Sequence, residues 1–239
     1  MLETSCTDRV EDVANVSTLS SSVNMNALKT PIKTDEWITA TWEQFKEIVS
    51  EPAYEKAKCY YDNGQLRIEV SIGSSHSRDN TVVILAVNLF CGLRGIPLNG
   101  LTNCSYRKQG VRECQPDISY YIGSRAQLAP DETSVVDLNS TPAPDLMIEI
   151  GDSSLADDLG RKRLMYEQLE IAEYWVVDVQ GGQVIAFAIA DGGSRRMQES
   201  QVLPGLAISL LEEALQRSRQ TDQSQVVAWL MAQFQGSSG

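Results

Sequence analysis

A buried-looking strand that carries a carboxylate constrains the fold of this chain more than any other segment. Residues 144–150 read PDLMIEI. Apolar residues occupy every second position, and Asp145 and Glu149 lie at positions between them, on one face. A period of two predicts a strand. A buried ionised glutamate costs several kcal/mol unless a cation or a hydrogen-bond donor meets it, so the fold must bring a partner to Glu149.

A second strand with the same opening supplies a candidate partner. Residues 116–122 read PDISYYI, and proline suits the first residue of a strand because it has no N–H to donate. If the two strands are neighbours, Asp117 and Glu149 converge, and the two carboxylates then require a proton or a shared cation. Oxygen ligands suit Mg²⁺ or Mn²⁺. Asp145 lies about 13 Å further along its strand and is predicted to be a turn residue.

The segment that follows, residues 153–171, predicts a helix with Ser154 and Asp157 as a capping box. Its apolar stripe consists of Leu155, Leu159, position 162, Tyr166 and Leu169. Position 162 is a lysine, which is rarely buried in such a stripe without a partner. Lys162 therefore either reaches Glu149 or extends its ammonium to the rim. The two carboxylates in need of a cation favour the first alternative.

Asp117, Glu149 and Lys162 together form a set that is typical of metal-dependent hydrolysis. The two carboxylates are predicted to hold Mg²⁺ or Mn²⁺, which polarises a phosphoryl oxygen. Lys162 is predicted to position or deprotonate the attacking water. The expected activity is hydrolysis of a phosphodiester bond.

The order of helices and strands predicts a mixed α/β sheet flanked by helices. Residues 1–34 are rich in Ser, Thr and Asn and are predicted to be a poorly ordered leader. We expect one domain over residues 35–205 and a C-terminal helical extension over residues 206–239 that packs on it. Within the domain, Asn63-Gly64 predicts a hairpin turn.

The net charge of −12 argues against non-specific binding of nucleic acid. Residues 61–115 differ, because they hold four acidic and six basic residues, a balance of +2. Arg107, Lys108 and Arg112 form the densest basic cluster there and are the candidates for contact with a phosphate backbone. A solvated loop is the alternative interpretation of the same stretch.

Five cysteines without a C-x-x-C pair argue against a disulfide framework and a structural zinc site. A reducing cytoplasm is therefore the expected compartment. No apolar run approaches the length of a membrane helix, and the N-terminus lacks the pattern of a secretory signal.

These motifs also resemble a known group. Their order is similar to that of the PD-(D/E)-x-K restriction-endonuclease-like superfamily, and most closely to a widespread bacterial family of uncharacterised restriction endonucleases. The matching positions are Asp117, Glu149, Asp158, Lys162, Tyr166 and Glu173-Tyr174-Trp175. The resemblance implies an αβββαβ core, Mg²⁺ dependence, nucleic acid and in particular DNA as the substrate, and a homodimer.

The chain departs from the family pattern at two positions. Gly151 stands where the strict motif has its lysine, so the helix must supply that lysine. Tyr60 stands near the place of a family glutamate, and Asp62 or Glu69 is a candidate to replace it.

Other polar residues admit structural interpretations. His76, the single histidine, has no convincing partners for a serine-hydrolase triad and is typical of a helix start. The resemblance nevertheless places a histidine here, which makes it a weak site candidate. Asp152, Asp157 and Asp158 are explained by the dipole at a helix N-terminus.

A catalytically inactive binding or assembly module with the nuclease fold is the rival interpretation of the whole chain. The acidic charge, the missing glutamate at Tyr60 and the C-terminal helices favour it.

Overall fold

Two mixed β-sheets of six strands each form the framework of the computed structural model, which describes residues 32–70, 73–131 and 135–236. Most of the predicted leader, residues 1–31, lies outside these ranges. The strands are β1 (Ile38–Thr39), β2 (Lys58–Asp62), β3 (Gln65–Glu69), β4 (Leu98–Thr102), β5 (Ser105–Lys108), β6 (Arg112–Cys114), β7 (Ile118–Ile122), β8 (Val135–Asp137), β9 (Leu146–Gly151), β10 (Glu173–Asp178), β11 (Gln183–Ala190) and β12 (Gly193–Met197).

The helices flank these sheets. They are α1 (Trp42–Val49), α2 (Ser74–Arg94), α3 (Leu155–Asp157), α4 (Arg163–Glu167), α5 (Ile208–Ser218) and α6 (Gln223–Gly236). No helix in the described ranges is long and apolar enough to cross a membrane. Three short segments complete the helical content of the described ranges: 3₁₀ turns at Pro52–Tyr54 and Gly123–Leu128 and a π-helical turn at Asp158–Lys162.

The second sheet contains the predicted αβββαβ core. Its strand order is β12-β11-β10-β9-β7-β4. The chain passes through α2, β4, β7, β9, the α3–α4 segment and β10 in that order, with β5, β6 and β8 of the first sheet inserted between the core strands. Strands β9 and β10 are parallel, which requires the crossover helix between them, whereas β7 pairs with β9 in the antiparallel sense. The prediction of this fold class is confirmed.

Strand β9 is buried on both faces. Leu146, Ile148 and Ile150 belong to a core formed with α2, α5 and α6. Met147 lies on the opposite face, in a core with Met165 of α4 and residues of the first sheet. Glu149 shares the face of Met147 because side chains alternate along a strand, so its carboxylate points away from the C-terminal helices.

The first sheet has the order β1-β3-β2-β6-β5-β8. The hairpin turn at Asn63-Gly64 is confirmed, with both residues at positive φ between β2 and β3. Alternation of polar and apolar residues does not predict strand β2, because four of its five residues are buried. The basic stretch around Lys108 is the β5–β6 hairpin, so its interpretation as a loop is wrong.

The predicted helix after β9 is interrupted at the π-helical turn Asp158–Lys162, between α3 and α4. Such turns are frequent at functional sites. The predicted capping box is wrong, since the Ser154 hydroxyl donates to Asp158 Oδ2 at 2.7 Å and accepts no hydrogen bond from a backbone N–H of the helix.

Glu173 is buried and links β10 by hydrogen bonds to the segment that precedes α5. Its carboxylate accepts hydrogen bonds from Trp175 Nε1 at 2.9 Å, Val202 N at 2.9 Å and the Ser200 hydroxyl at 3.0 Å. A glutamine here turns an amide toward these donors, so we expect Glu173→Gln to lower the free energy of unfolding by about 1–3 kcal/mol.

Urea unfolding followed by circular dichroism measures this loss. Glu199→Gln is the matched control, because Glu199 is exposed and a glutamine can still accept the Gly205 N–H. An equal effect of the two changes would contradict the role of Glu173.

Candidate active site

Asp117 and Glu149 converge, as their strands predict. The antiparallel register pairs Ile118 with Ile148, which sets position 117 beside position 149. Asp117 Oδ2 accepts the Ile150 N–H at 2.9 Å. The two carboxylates therefore share one end of the β7–β9 pair.

A single ammonium contacts both carboxylates. Lys58 Nζ lies 2.7 Å from Asp117 Oδ1 and 3.7 Å from Glu149 Oε2. Sequence reasoning missed Lys58, although a lysine at the head of the buried strand β2 is the same kind of signal as Lys162 in its apolar stripe. Only the contact between the two sheets shows that Lys58 lies beside these carboxylates.

The other oxygen of Glu149 faces the interior. Glu149 Oε1 accepts hydrogen bonds from the hydroxyls of Tyr166 at 2.7 Å and Tyr60 at 3.1 Å. Burial raises the pKa of Glu149 to about 8, against the opposing effect of the ammonium groups of Lys162 and Lys58. Tyr60 and Tyr166 thus orient the carboxylate of Glu149.

Lys162 is buried behind Glu149 and makes three carboxylate contacts. Its Nζ lies 2.8 Å from Asp158 Oδ1, 2.9 Å from Glu69 Oε1 and 3.8 Å from Glu149 Oε1. It also lies 4.1 Å from the ring centre of Tyr60. Although burial alone would lower the pKa of Lys162, these carboxylates raise it well above its ordinary value. Of the two alternatives for Lys162, the structure shows the buried, partnered one.

Asp158 corrects one interpretation. The helix dipole was expected to account for it, but its side chain is fully buried and pairs with Lys162. The dipole cannot explain a desolvated carboxylate. The i, i+4 spacing to Lys162 was the available signal.

His76 faces the site. Its Nε2 lies 3.2 Å from Asp117 Oδ1. Burial alone would raise the pKa of Asp117, but the Lys58 ammonium and His76 hold it well below its ordinary value. Asp117 is therefore ionised at neutral pH.

The remaining candidates lie elsewhere. Asp62 pairs with the buried Arg112 at 2.7 Å, and Arg107 pairs with Glu113. Lys108 is exposed at the hairpin. Asp145 accepts the Ile122 N–H at 2.8 Å, which agrees with its predicted role as a turn residue.

A cleft of about 340 Å³ opens onto the two carboxylates. Its charged lining consists of Asp35, Glu69, Asp117, Glu149, Asp152, Lys56 and Lys58, together with His76. Lys162 is not part of this lining. The five carboxyl groups outnumber the two ammonium groups, so the cleft attracts cations.

The residues present fit a hard divalent cation. Among the described residues, no group of three or more His, Cys, Asp and Glu side chains surrounds one metal position. Mg²⁺, however, is usually held by one or two carboxylates and completes its shell with water and substrate phosphate. Asp117 Oδ1 and Glu149 Oε2 already share one cation, the Lys58 ammonium, and both are hard oxygen donors.

Comparison with known proteins gives the family of the chain. The sequence model of the Uma2 family, described as "Putative restriction endonuclease", matches residues 42–224. The chain belongs to the Uma2 family. Divalent metal ions are in general use among the restriction-endonuclease-like proteins to which this family is related. No curated protein matches the chain by sequence.

A solved structure shows the same fold. It is the crystal structure of "a putative nuclease belonging to DUF820 from Anabaena variabilis ATCC 29413", with a TM-score of 0.54 and 17% sequence identity. The match covers 74% of this chain and 99% of that chain. The resemblance to the restriction-endonuclease-like group is thus confirmed at the level of family and fold.

Proposed function

We propose that this protein is a Mg²⁺-dependent endonuclease that hydrolyses phosphodiester bonds in nucleic acid, with Mn²⁺ able to replace Mg²⁺. One observation carries the proposal: Asp117 and Glu149 turn oxygens from neighbouring strands toward one shared cation at an open cleft. Membership of the Uma2 family supports the same class of activity.

Asp117 and Glu149 would hold the metal ion. When bound, the ion supplies polarisation of a phosphoryl oxygen and stabilises developing negative charge. Tyr60 and Tyr166 fix the orientation of Glu149 by hydrogen bonds to its Oε1. The second oxygen, Oε2, therefore stays available to a metal ion in the cleft.

Lys162 acts in this proposal as a positioning residue. Its ammonium lies 3.8 Å from Glu149 Oε1 and does not line the cleft, so its effect on the reaction passes through Glu149. The sequence pattern had suggested a direct contact with the attacking water instead.

The proposed substrate is DNA. Among the three basic residues proposed for backbone contact, Lys108 presents a free surface position, whereas Arg107 and Arg112 pair with Glu113 and Asp62. A homodimer is implied by the family resemblance, and sedimentation of the purified protein measures it directly.

Nicking of supercoiled plasmid tests the activity. We expect nicking in Mg²⁺ or Mn²⁺ and none in EDTA, because the carboxylate pair alone supplies no positive charge to the phosphate. Asp117→Asn should remove nicking in both metals. A parallel assay on RNA separates the two substrates. Cleavage that persists in EDTA would contradict the metal-dependent mechanism.

A second candidate function is a nuclease-fold binding module without catalysis. The excess of carboxyl groups in the cleft and the net charge of −12 favour it, since both repel a phosphate backbone. The absence of both nicking and calorimetric metal binding in the wild-type protein would support this candidate against the endonuclease.

A further inference from the structure

Lys58 is the lysine that faces the cleft at the carboxylate pair. It is the first residue of β2, and it lines the cleft together with Asp117 and Glu149. Its Nζ contacts Asp117 Oδ1 at 2.7 Å and Glu149 Oε2 at 3.7 Å. These are the two oxygens that the proposed function assigns to the metal ion.

The two lysines of the site differ in their freedom to move. Lys162 is enclosed by Asp158, Glu69 and Glu149 and has 1% of its side chain exposed. The Lys58 side chain is 10% exposed, and its ammonium borders a cleft of about 340 Å³. Lys58 can therefore leave the carboxylates for the cleft, whereas withdrawal of Lys162 would leave Asp158 Oδ1 without a partner among the described residues.

An ammonium and a divalent ion cannot occupy the same place between two carboxylates. Each is a cation that compensates the same pair of negative charges, and at such short separation the two cations repel each other. Binding of the metal ion therefore requires that Lys58 withdraw.

We infer that Lys58 is a built-in counter-cation of Asp117 and Glu149 that competes with the divalent metal ion for these two carboxylates. The inference rests on the proposed function for the identity of the metal ligands. Two consequences follow from this role of Lys58. The carboxylate pair stays assembled without metal. The affinity for metal is lower than the two carboxylates alone would provide.

Calorimetric titration with Mn²⁺ and Mg²⁺ tests the competition without reference to cleavage. The proteins compared are the wild type, Lys58→Met, Lys58→Arg and Lys56→Met. Lys56 lines the same cleft and makes no ion pair with another described residue, so Lys56→Met removes an equal charge without removing the contact.

We expect Lys58→Met to bind Mn²⁺ at least about tenfold more tightly than the wild type, since charge-assisted contacts of this kind no longer have to be broken. Lys58→Arg should remain close to the wild type because it keeps a cation at the pair. Lys56→Met should stay within about twofold of the wild type, because an exposed charge acts only weakly through solvent.

Thermal unfolding keeps the test decisive if Lys58→Met folds poorly without metal. Added Mn²⁺ should then raise the melting temperature of Lys58→Met by more than that of the wild type, because binding to the native state stabilises it. Equal metal affinity in the wild type and Lys58→Met would overturn the inference, as would an equal gain in Lys56→Met.

These outcomes are distinct from failure of the proposed function. Equal affinities together with Mg²⁺-dependent nicking would overturn the role of Lys58 and leave the endonuclease standing. No metal binding by any of the four proteins would overturn both proposals.

Discussion

Replacement of Lys162 by methionine is expected to lower the free energy of unfolding by about 3–5 kcal/mol, the usual range when one partner of a buried ion pair is removed. The cause is the carboxylates that remain. Asp158 Oδ1 has the Lys162 ammonium at 2.8 Å and no hydrogen-bond partner among the other described residues. Glu69 is less affected, because Arg67 Nε lies 2.7 Å from its Oε1. Urea unfolding, with the slope of the transition compared between proteins, measures the loss.

Two further variants serve as controls for the effect of Lys162→Met. Lys46→Met changes an exposed lysine on α1 and should alter the free energy of unfolding by less than about 0.5 kcal/mol. Lys162→Met combined with Asp158→Asn should recover part of the loss, because the uncompensated carboxylate is also gone. A loss below about 1 kcal/mol in Lys162→Met would refute the account of Lys162 as the cation on which the buried cluster depends.

Glu149→Gln is expected to slow metal-dependent cleavage by a factor on the order of 10³. A bound metal ion contributes several kcal/mol of transition-state stabilisation, and about 1.4 kcal/mol corresponds to a factor of ten in rate. Glutamine keeps an acceptor for the hydroxyls of Tyr60 and Tyr166 but is a poor ligand for Mg²⁺. Single-turnover nicking of supercoiled plasmid measures the rate.

The fold should tolerate this substitution. Glutamine has the size of glutamate, and it removes a carboxyl whose ionisation is opposed by burial, which raises the pKa of Glu149. The circular dichroism spectrum of Glu149→Gln should therefore match that of the wild type. Glu47→Gln, an exposed change on α1, is the activity control. Undiminished nicking by Glu149→Gln would remove Glu149 from the proposed metal site.

Lys162→Met and Glu149→Gln distinguish a role in stability from a role in metal-dependent cleavage. Loss of stability with Lys162→Met and loss of cleavage with Glu149→Gln at unchanged stability are expected if Lys162 positions Glu149 and Glu149 binds the metal. Plasmid nicking by the folded fraction of Lys162→Met should also fall, because Glu149 then loses one of the cations around it.

The sequence by itself determined the elements that carry the candidate site. The sequence predicts β7 and β9 as strands that carry Asp117 and Glu149, and it places Lys162 in the apolar stripe of the helix that follows. These signals succeed because the period of a strand or helix depends only on neighbours in the sequence. The family motif also predicts the order of helices and strands in the core.

Only the tertiary structure decided which groups meet. Tyr60 and Glu149 are 89 residues apart in sequence, and Lys58 reaches the carboxylates from a strand of the other sheet. A periodic pattern identifies a buried face but contains no information about the groups that pack against it. For the same reason the sequence does not show that Asp158 is buried beside Lys162, which depends on the π-helical turn and on Glu69 of the first sheet.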